Sequence, residues 1–268
     1  MTHQYLPLFN SQISYYRFGS GSRLIIAFHG YSNDAQIFQL LESELKKNYT
    51  IIALDLPLHG NTRWNKILLT PKMLKKIIDA IIEKEQLPKE YWLMGFSLGG
   101  RIALSLFQYA PQQVKRLILL APDGLYASWW HKFLVQTYLG NLITSFLLKH
   151  PKNAMNFLDK MKEKRFINQK VYDFAQGLLS SKRERTLLYA RWFFMRKMRP
   201  NPDKICNAII FYQTPVFLIF GKSDTITPAH NAQYLVDFAT PYVHYYKWDA
   251  GHLLLREKYL SQLATLFK

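Results

Sequence analysis

A serine stands between glycines in the run Gly95-Phe96-Ser97-Leu98-Gly99-Gly100, after an apolar stretch and before a helical pattern. A serine hydroxyl is a weak nucleophile at neutral pH and needs a base to take its proton. A sharp strand-to-helix turn projects such a side chain, and small neighbours let the backbone close around it. The helix that follows turns its free N–H groups, and its positive dipole end, toward any oxyanion formed nearby. Two further groups appear in the order Ser, Asp, His. Asp224 lies in Phe220-Gly221-Lys222-Ser223-Asp224-Thr225-Ile226-Thr227-Pro228, and His252 in Asp249-Ala250-Gly251-His252. Each follows a strand-like run. His252 can take the serine proton while Asp224 holds the imidazole in the required tautomer. The chemistry of such a set is acyl transfer.

Three distant side chains meet only if regular elements carry them to one place. Residues 11–121 alternate short apolar runs with helical patterns. Strands are expected at Ser11–Phe18, Arg23–Phe28, Tyr49–Leu54, Tyr91–Met94 and Val114–Leu120, the first of them alternating. Helices are expected at Asp34–Lys47, Pro71–Gln86 and Leu98–Tyr109. The second helix starts on a proline and repeats Leu74, Ile77, Ile78, Ile81 and Ile82 on one face. Residues 127–210 are helical, basic and aromatic, without buried-type strands. The earlier rhythm then resumes with a strand at Val216–Phe220, a helix at Pro228–Phe238, a strand at Val243–Trp248 and a last helix around Arg256–Phe267. Apolar strands alternating with helices predict an α/β fold, a mostly parallel sheet covered on both faces. The predicted division is a core of 1–126 and 211–268 with a helical insertion at 127–210. The C-terminal strand edge of such a sheet is where sites form, and all three loops fall there.

The ordered set His29-Gly30, Asp55-Leu56-Pro57-Leu58-His59-Gly60, Gly95–Gly100, Gly221–Asp224 and Gly251-His252 resembles the α/β-hydrolase superfamily over nearly the whole chain. The resemblance implies an α/β-hydrolase fold and a serine hydrolase, carboxylesterase-like, working through an acyl-enzyme. It implies an oxyanion hole from the backbone amides of Leu98 and Tyr31, and it makes 127–210 a cap (lid) over the site. One departure, Leu58 where many relatives carry Gly, leaves the geometry of that loop open. The stretch Ser97-Leu98-Gly99-Gly100-Arg101 also resembles the menaquinone-pathway synthase branch. That branch implies carbon–carbon bond chemistry on an anionic carboxylate, with Arg101 as a substrate-binding fork. The plainer reading of Arg101, which we favour here, is a helix residue paired with a nearby acid or with solvent.

Other candidates carry less. Asp123 also follows a strand and is the lesser alternative to Asp224 as the acid. His29 and His59 read as loop braces. His131, His150, His230 and His244 have no motif around them. The single Cys206 leaves no intramolecular disulfide and no multi-cysteine zinc site, and no histidine-rich ligand pattern suggests another metal or a cofactor.

The 268 residues are 49% apolar and 20% charged, which excludes a disordered chain. No signal-like leader and no span-length apolar run is present, so a cytoplasmic protein is the expectation. Net charge is +17, and 127–210 holds 16 Lys and Arg against 5 Asp and Glu. A solvated surface is the plain account of that excess. A lure for an anionic or acyl-chain-bearing small-molecule substrate is the next. Trp129–Lys132 followed by Phe133–Leu148 could touch a membrane surface, or line an acyl pocket, which fits better. Basic clusters broken by acids, such as Lys182-Arg183-Glu184-Arg185, argue against nucleic acid. A non-catalytic binding protein on the same fold, or a membrane-recruited lipase, are the remaining classes.

Overall fold

The computed structural model describes residues 1–65, 68–125, 137–167, 169–179 and 181–267. Eight strands form one sheet: β1 (Thr2–Leu8), β2 (Ser11–Phe18), β3 (Arg23–Phe28), β4 (Tyr49–Leu54), β5 (Tyr91–Phe96), β6 (Val114–Leu120), β7 (Val216–Gly221) and β8 (Val243–Trp248). Their order across the sheet is β1-β2-β4-β3-β5-β6-β7-β8. β1 pairs antiparallel with β2, and β2 with β4; every later pairing is parallel. The mostly parallel α/β sheet is therefore observed, with an antiparallel hairpin at one edge.

That hairpin carries two differences from expectation. β1 has no counterpart in the sequence reading, because only Leu6 is buried on it and no alternation marks it. Its register is set by the two-residue turn Phe9-Asn10, both residues at φ 55°, which is the geometry a tight hairpin requires. β2 does not alternate as expected. Ile13, Ser14, Tyr15 and Tyr16 are all buried, so both faces of the strand are covered.

The helices are α1 (Glu42–Leu45), α2 (Pro71–Lys84), α3 (Leu98–Tyr109), α4 (Tyr138–Lys149), α5 (Pro151–Glu163), α6 (Gln169–Leu179), α7 (Lys182–Met195), α8 (Pro202–Tyr212), α9 (Gln233–Phe238) and α10 (Leu260–Thr265). The expected Asp34–Lys47 helix is a tighter 3₁₀ turn at Ala35–Leu41 leading into α1. The Asp34 side chain caps it by accepting from the Gln36 amide. α2 begins as its sequence predicts, with Pro71 in the first turn and Thr70 accepting from the Met73 amide. Its stripe of Leu74, Ile77, Ile78, Ile81 and Ile82 is buried. The helices expected at Pro228–Phe238 and near Arg256 likewise open as 3₁₀ turns, at Ala229–Ala232 and Glu257–Tyr259.

Along β3, Ile25 and Ala27 enter a cluster with Phe38, Leu41, Leu254 and Leu263. Leu24, Ile26 and Phe28 alternate to the opposite face and are equally buried. The strand is buried on both faces, which is why it reads as one unbroken apolar run. The chain end is fastened by polar groups. Tyr49 Oη donates to the Phe267 carbonyl at 2.6 Å and Arg116 Nη1 to that of Leu266 at 3.1 Å. The Arg116 guanidinium lies 4.2 Å from the Trp92 ring centre and 4.9 Å from that of Phe217.

The chain divides into two compact units, 1–126 with 197–268, and 127–196. The second boundary falls at 196, not at the expected 210. The reason is α8, whose Ile205, Cys206 and Ile209 are buried and which packs with α3 and α9. The second unit holds α4–α7. Within it Arg185 donates to the Leu148 carbonyl at the end of α4 and to the Leu179 carbonyl at the end of α6. Tyr172 on α6 donates to Asp159 on α5 at 2.6 Å. Trp129–Lys132, and the first residues of the apolar stretch that follows, lie outside the described residues, as does His131. No described helix is long and apolar enough to cross a membrane.

Candidate active site

Ser97 joins β5 to α3 at φ 50° and ψ −113°, a conformation that L residues rarely adopt. A serine at the start of a helix usually accepts from the helix's own amides. Here the turn aims it elsewhere, and it makes no capping bond. The elbow is held from β6: Ser97 N–H donates to the Leu120 carbonyl and Asp123 N–H to the Ser97 carbonyl, each at 2.9 Å. Gly99 lets α3 lie against β3, since a Cβ there would sit 1.8 Å from the Phe28 carbonyl oxygen.

Asp224 and His252 leave the ends of β7 and β8. Their loops are stitched together by Ser223, whose amide and hydroxyl both donate to the Ala250 carbonyl at 3.0 Å. Gly221 permits this approach, because a Cβ there would meet the Gly251 oxygen at 2.2 Å.

The three side chains form one hydrogen-bonded line. Ser97 Oγ lies 2.9 Å from His252 Nε2, and His252 Nδ1 lies 2.8 Å from Asp224 Oδ2. A carboxylate only accepts, so Nδ1 carries the ring proton, and Nε2 is left to accept from the serine hydroxyl. Asp224 is buried. Its Oδ1 accepts the amides of Ile226 at 2.9 Å and Thr227 at 3.1 Å, and its Oδ2 accepts the Thr227 hydroxyl at 2.9 Å as well as the imidazole. Burial raises the Asp224 carboxyl, but the bond to His252, its charge and the two amides outweigh that. The group is held below the ordinary carboxylate value. The Phe96 ring stands 5.4 Å from the imidazole, so one side of His252 is apolar.

The remaining expected residues fall as follows. Leu98 is the first residue of α3, so its amide is among those a helix cannot satisfy internally. Tyr31 lies in the loop after β3, where the Gly30 carbonyl accepts the Asn33 amide and the Tyr31 carbonyl faces His59 Nε2 at 2.9 Å. His29 Nε2 accepts the Leu56 amide, which leaves Nδ1 to donate to the Gly30 carbonyl at 2.8 Å. Both histidines thus brace the loop that carries Tyr31. Leu58 takes φ 62°, so the loop keeps the left-handed turn that glycine would make without strain. Asp55, nearby, accepts from the Ser14 hydroxyl and the amides of Ala35 and Asn61. Arg101 is paired with Asp123, Nη2 to Oδ2 at 2.6 Å, so the guanidinium is engaged by a neighbouring acid, and the carboxylate bonded to His252 Nδ1 is that of Asp224. Thr227, three residues from Asp224, carries no motif of its own in the sequence. Cys206 is buried, and burial pushes its thiol up. Among the described residues no three His, Cys, Asp or Glu side chains gather as a metal would require.

Residues 23–259 match the family model of the alpha/beta hydrolase fold. Over 245 residues the chain is 26% identical to the uncharacterized hydrolase YugF of Bacillus subtilis, covering 89% of this chain and 86% of that one. It is also 26% identical over 232 residues to the pimeloyl-[acyl-carrier protein] methyl ester esterase of Nitrosomonas europaea, covering 81% and 83%. A thermophilic esterase from Thermogutta terrifontis shares the fold, with a TM-score of 0.70 at 15% identity over 100% of this chain and 97% of that one.

Proposed function

We propose that this chain, which belongs to the alpha/beta hydrolase fold family, cleaves a carboxylic ester or a related acyl bond through an acyl-enzyme. The observation that carries the reading is the continuous line from Ser97 Oγ through His252 to Asp224. Ser97 attacks the carbonyl carbon as its proton passes to His252 Nε2. Asp224 stabilises the imidazolium that forms without taking the proton. The amides of Leu98 and Tyr31 receive the oxyanion, each worth roughly 10²–10³ in rate. His252 then gives its proton to the leaving alcohol, and the resulting acyl-enzyme is opened by a water that His252 activates. The relative that acts on a methyl ester supports an ester substrate for this chain too. Carbon–carbon chemistry on a carboxylate substrate would need Arg101 released from Asp123.

The test is Ser97→Ala. It should lower turnover of short p-nitrophenyl esters at least a thousandfold, and a fluorophosphonate probe should label the parent at Ser97 and leave the variant unmarked. Turnover unchanged in S97A overturns the reading.

A further inference from the structure

The Thr227 hydroxyl touches three groups at once. It lies 2.9 Å from Asp224 Oδ2, 3.1 Å from the Ala121 carbonyl and 3.2 Å from His252 Nδ1. It is buried, as are Asp224 and Ala121, while His252 is partly exposed. A hydroxyl has one proton to give and two lone pairs to accept with. Directed at Ala121 alone, that proton would leave a lone pair facing the charged carboxylate. Shared with Asp224, it makes a charge-assisted bond and turns a lone pair toward the Nδ1 proton. The Thr227 amide meanwhile holds the other carboxylate oxygen. One residue therefore grips both oxygens of Asp224.

Ala121 matters because of where it stands. It follows β6 directly, between the Leu120 carbonyl that accepts the Ser97 amide and the Asp123 amide that donates back to Ser97. The elbow and the acid loop thus hang from the same strand end, and the Thr227 hydroxyl is the side chain that joins them.

We propose that Thr227 is a positioning residue of this site, fixing the Asp224 carboxylate against His252 and tying the acid loop to the strand end that holds Ser97. This rests on the hydrolase reading above. The hydroxyl, and not the bulk of the side chain, does the fixing. Valine matches threonine in shape and lacks that group; serine keeps the group and loses a methyl.

The experiment compares Thr227→Val and Thr227→Ser with the parent in three measurements: kcat and KM on a p-nitrophenyl ester, the rate of fluorophosphonate labelling, and the low-field proton resonance of His252 Nδ1–H. T227V should lose about 10- to 100-fold in kcat and in labelling rate, the range for a bond to a charged group, with KM within twofold. Its Nδ1–H resonance should shift and broaden. T227S should keep kcat within about threefold and retain the sharp resonance. The proposal falls if T227V keeps either the kcat or the resonance of the parent, or if T227S is as impaired as T227V. Should T227V fail to fold, Thr227→Ala decides by the same criteria. The resonance is read on resting protein, so it separates the two ideas. Full turnover in S97A sinks the hydrolase reading, whereas an unchanged resonance in T227V sinks only the role of Thr227.

Discussion

A neutral imidazole can take a proton from Ser97 only if its own proton sits on the far nitrogen. In this molecule Asp224 makes that choice, because a buried carboxylate with every acceptor site filled cannot offer a proton in return. Asp224→Asn keeps the shape and can present a donor to Nδ1, which puts the imidazole in the opposite tautomer. We expect kcat to fall by about 10⁴, as in triads that lose their acid, with KM little changed. Steady-state kinetics on the same ester checks it; a loss under tenfold would mean Asp224 is not what orients His252. The contact among Ser97, His252 and Asp224 could be anticipated from sequence, since each stands just past an apolar run and the parallel sheet brings such positions to one edge. Thr227 could not. A threonine in a loop carries no signal until the positions of Ala121 and His252 are known, 106 and 25 residues away. That Arg101 pairs with Asp123 rather than with solvent is not legible in the sequence, because 22 residues of helix and strand separate them.

The elements were legible where burial is two-sided. β3 to β7 have no polar face to hide, so their apolar runs stand out from the chain. β1 escaped because an edge strand needs little burial, and only Leu6 supplies it. The short 3₁₀ turns before α1, α9 and α10 read as full helices because the i, i+3 spacing of apolar residues is common to both kinds of helix. The elbow is the element on which the site depends most, and its tightest contact is between backbones. Gly99→Ala would drive a methyl into the Phe28 carbonyl, with no flexible side chain to yield. We expect α3 to be pushed off β3, with a loss of stability of about 3 kcal/mol or more and of probe labelling at Ser97. Denaturant unfolding together with labelling would reveal it, and an alanine variant as stable as the parent would contradict the packing described.

At the scale of the whole molecule, acid should act on more than one carboxylate. Burial raises Glu85, but hydrogen bonds from Tyr15 at 2.6 Å and Arg17 at 2.9 Å outweigh it and hold the group low, as His252 and the loop amides do for Asp224. A carboxyl whose folded value lies below its unfolded value binds its proton more readily in the unfolded chain. Its contribution is complete above an ordinary carboxyl value of about 4 and disappears as pH falls through the folded value. The net charge of +17 adds repulsion as acids are neutralised. Calorimetric Tm should therefore be level near neutrality and drop steeply below about pH 4. Glu85→Gln should lower the plateau and flatten the drop; a variant with an unaltered acid limb would show that Glu85 takes no part.

The neighbours of β6 lie on either side of it in sequence, at very different distances. β5 precedes it, but its other partner, β7, begins only at Val216. On a ribosome, a nascent chain that has finished Leu120 holds an apolar strand with one row of amides and carbonyls open. At ordinary elongation speeds the missing partner arrives roughly 5–20 s later. During that interval β6 is a template for any other strand in reach, including the same strand of a sister chain. The synthesis of residues 121–215 is thus the period in which this strand edge stands open, and a polypeptide halted there would be expected to aggregate rather than wait.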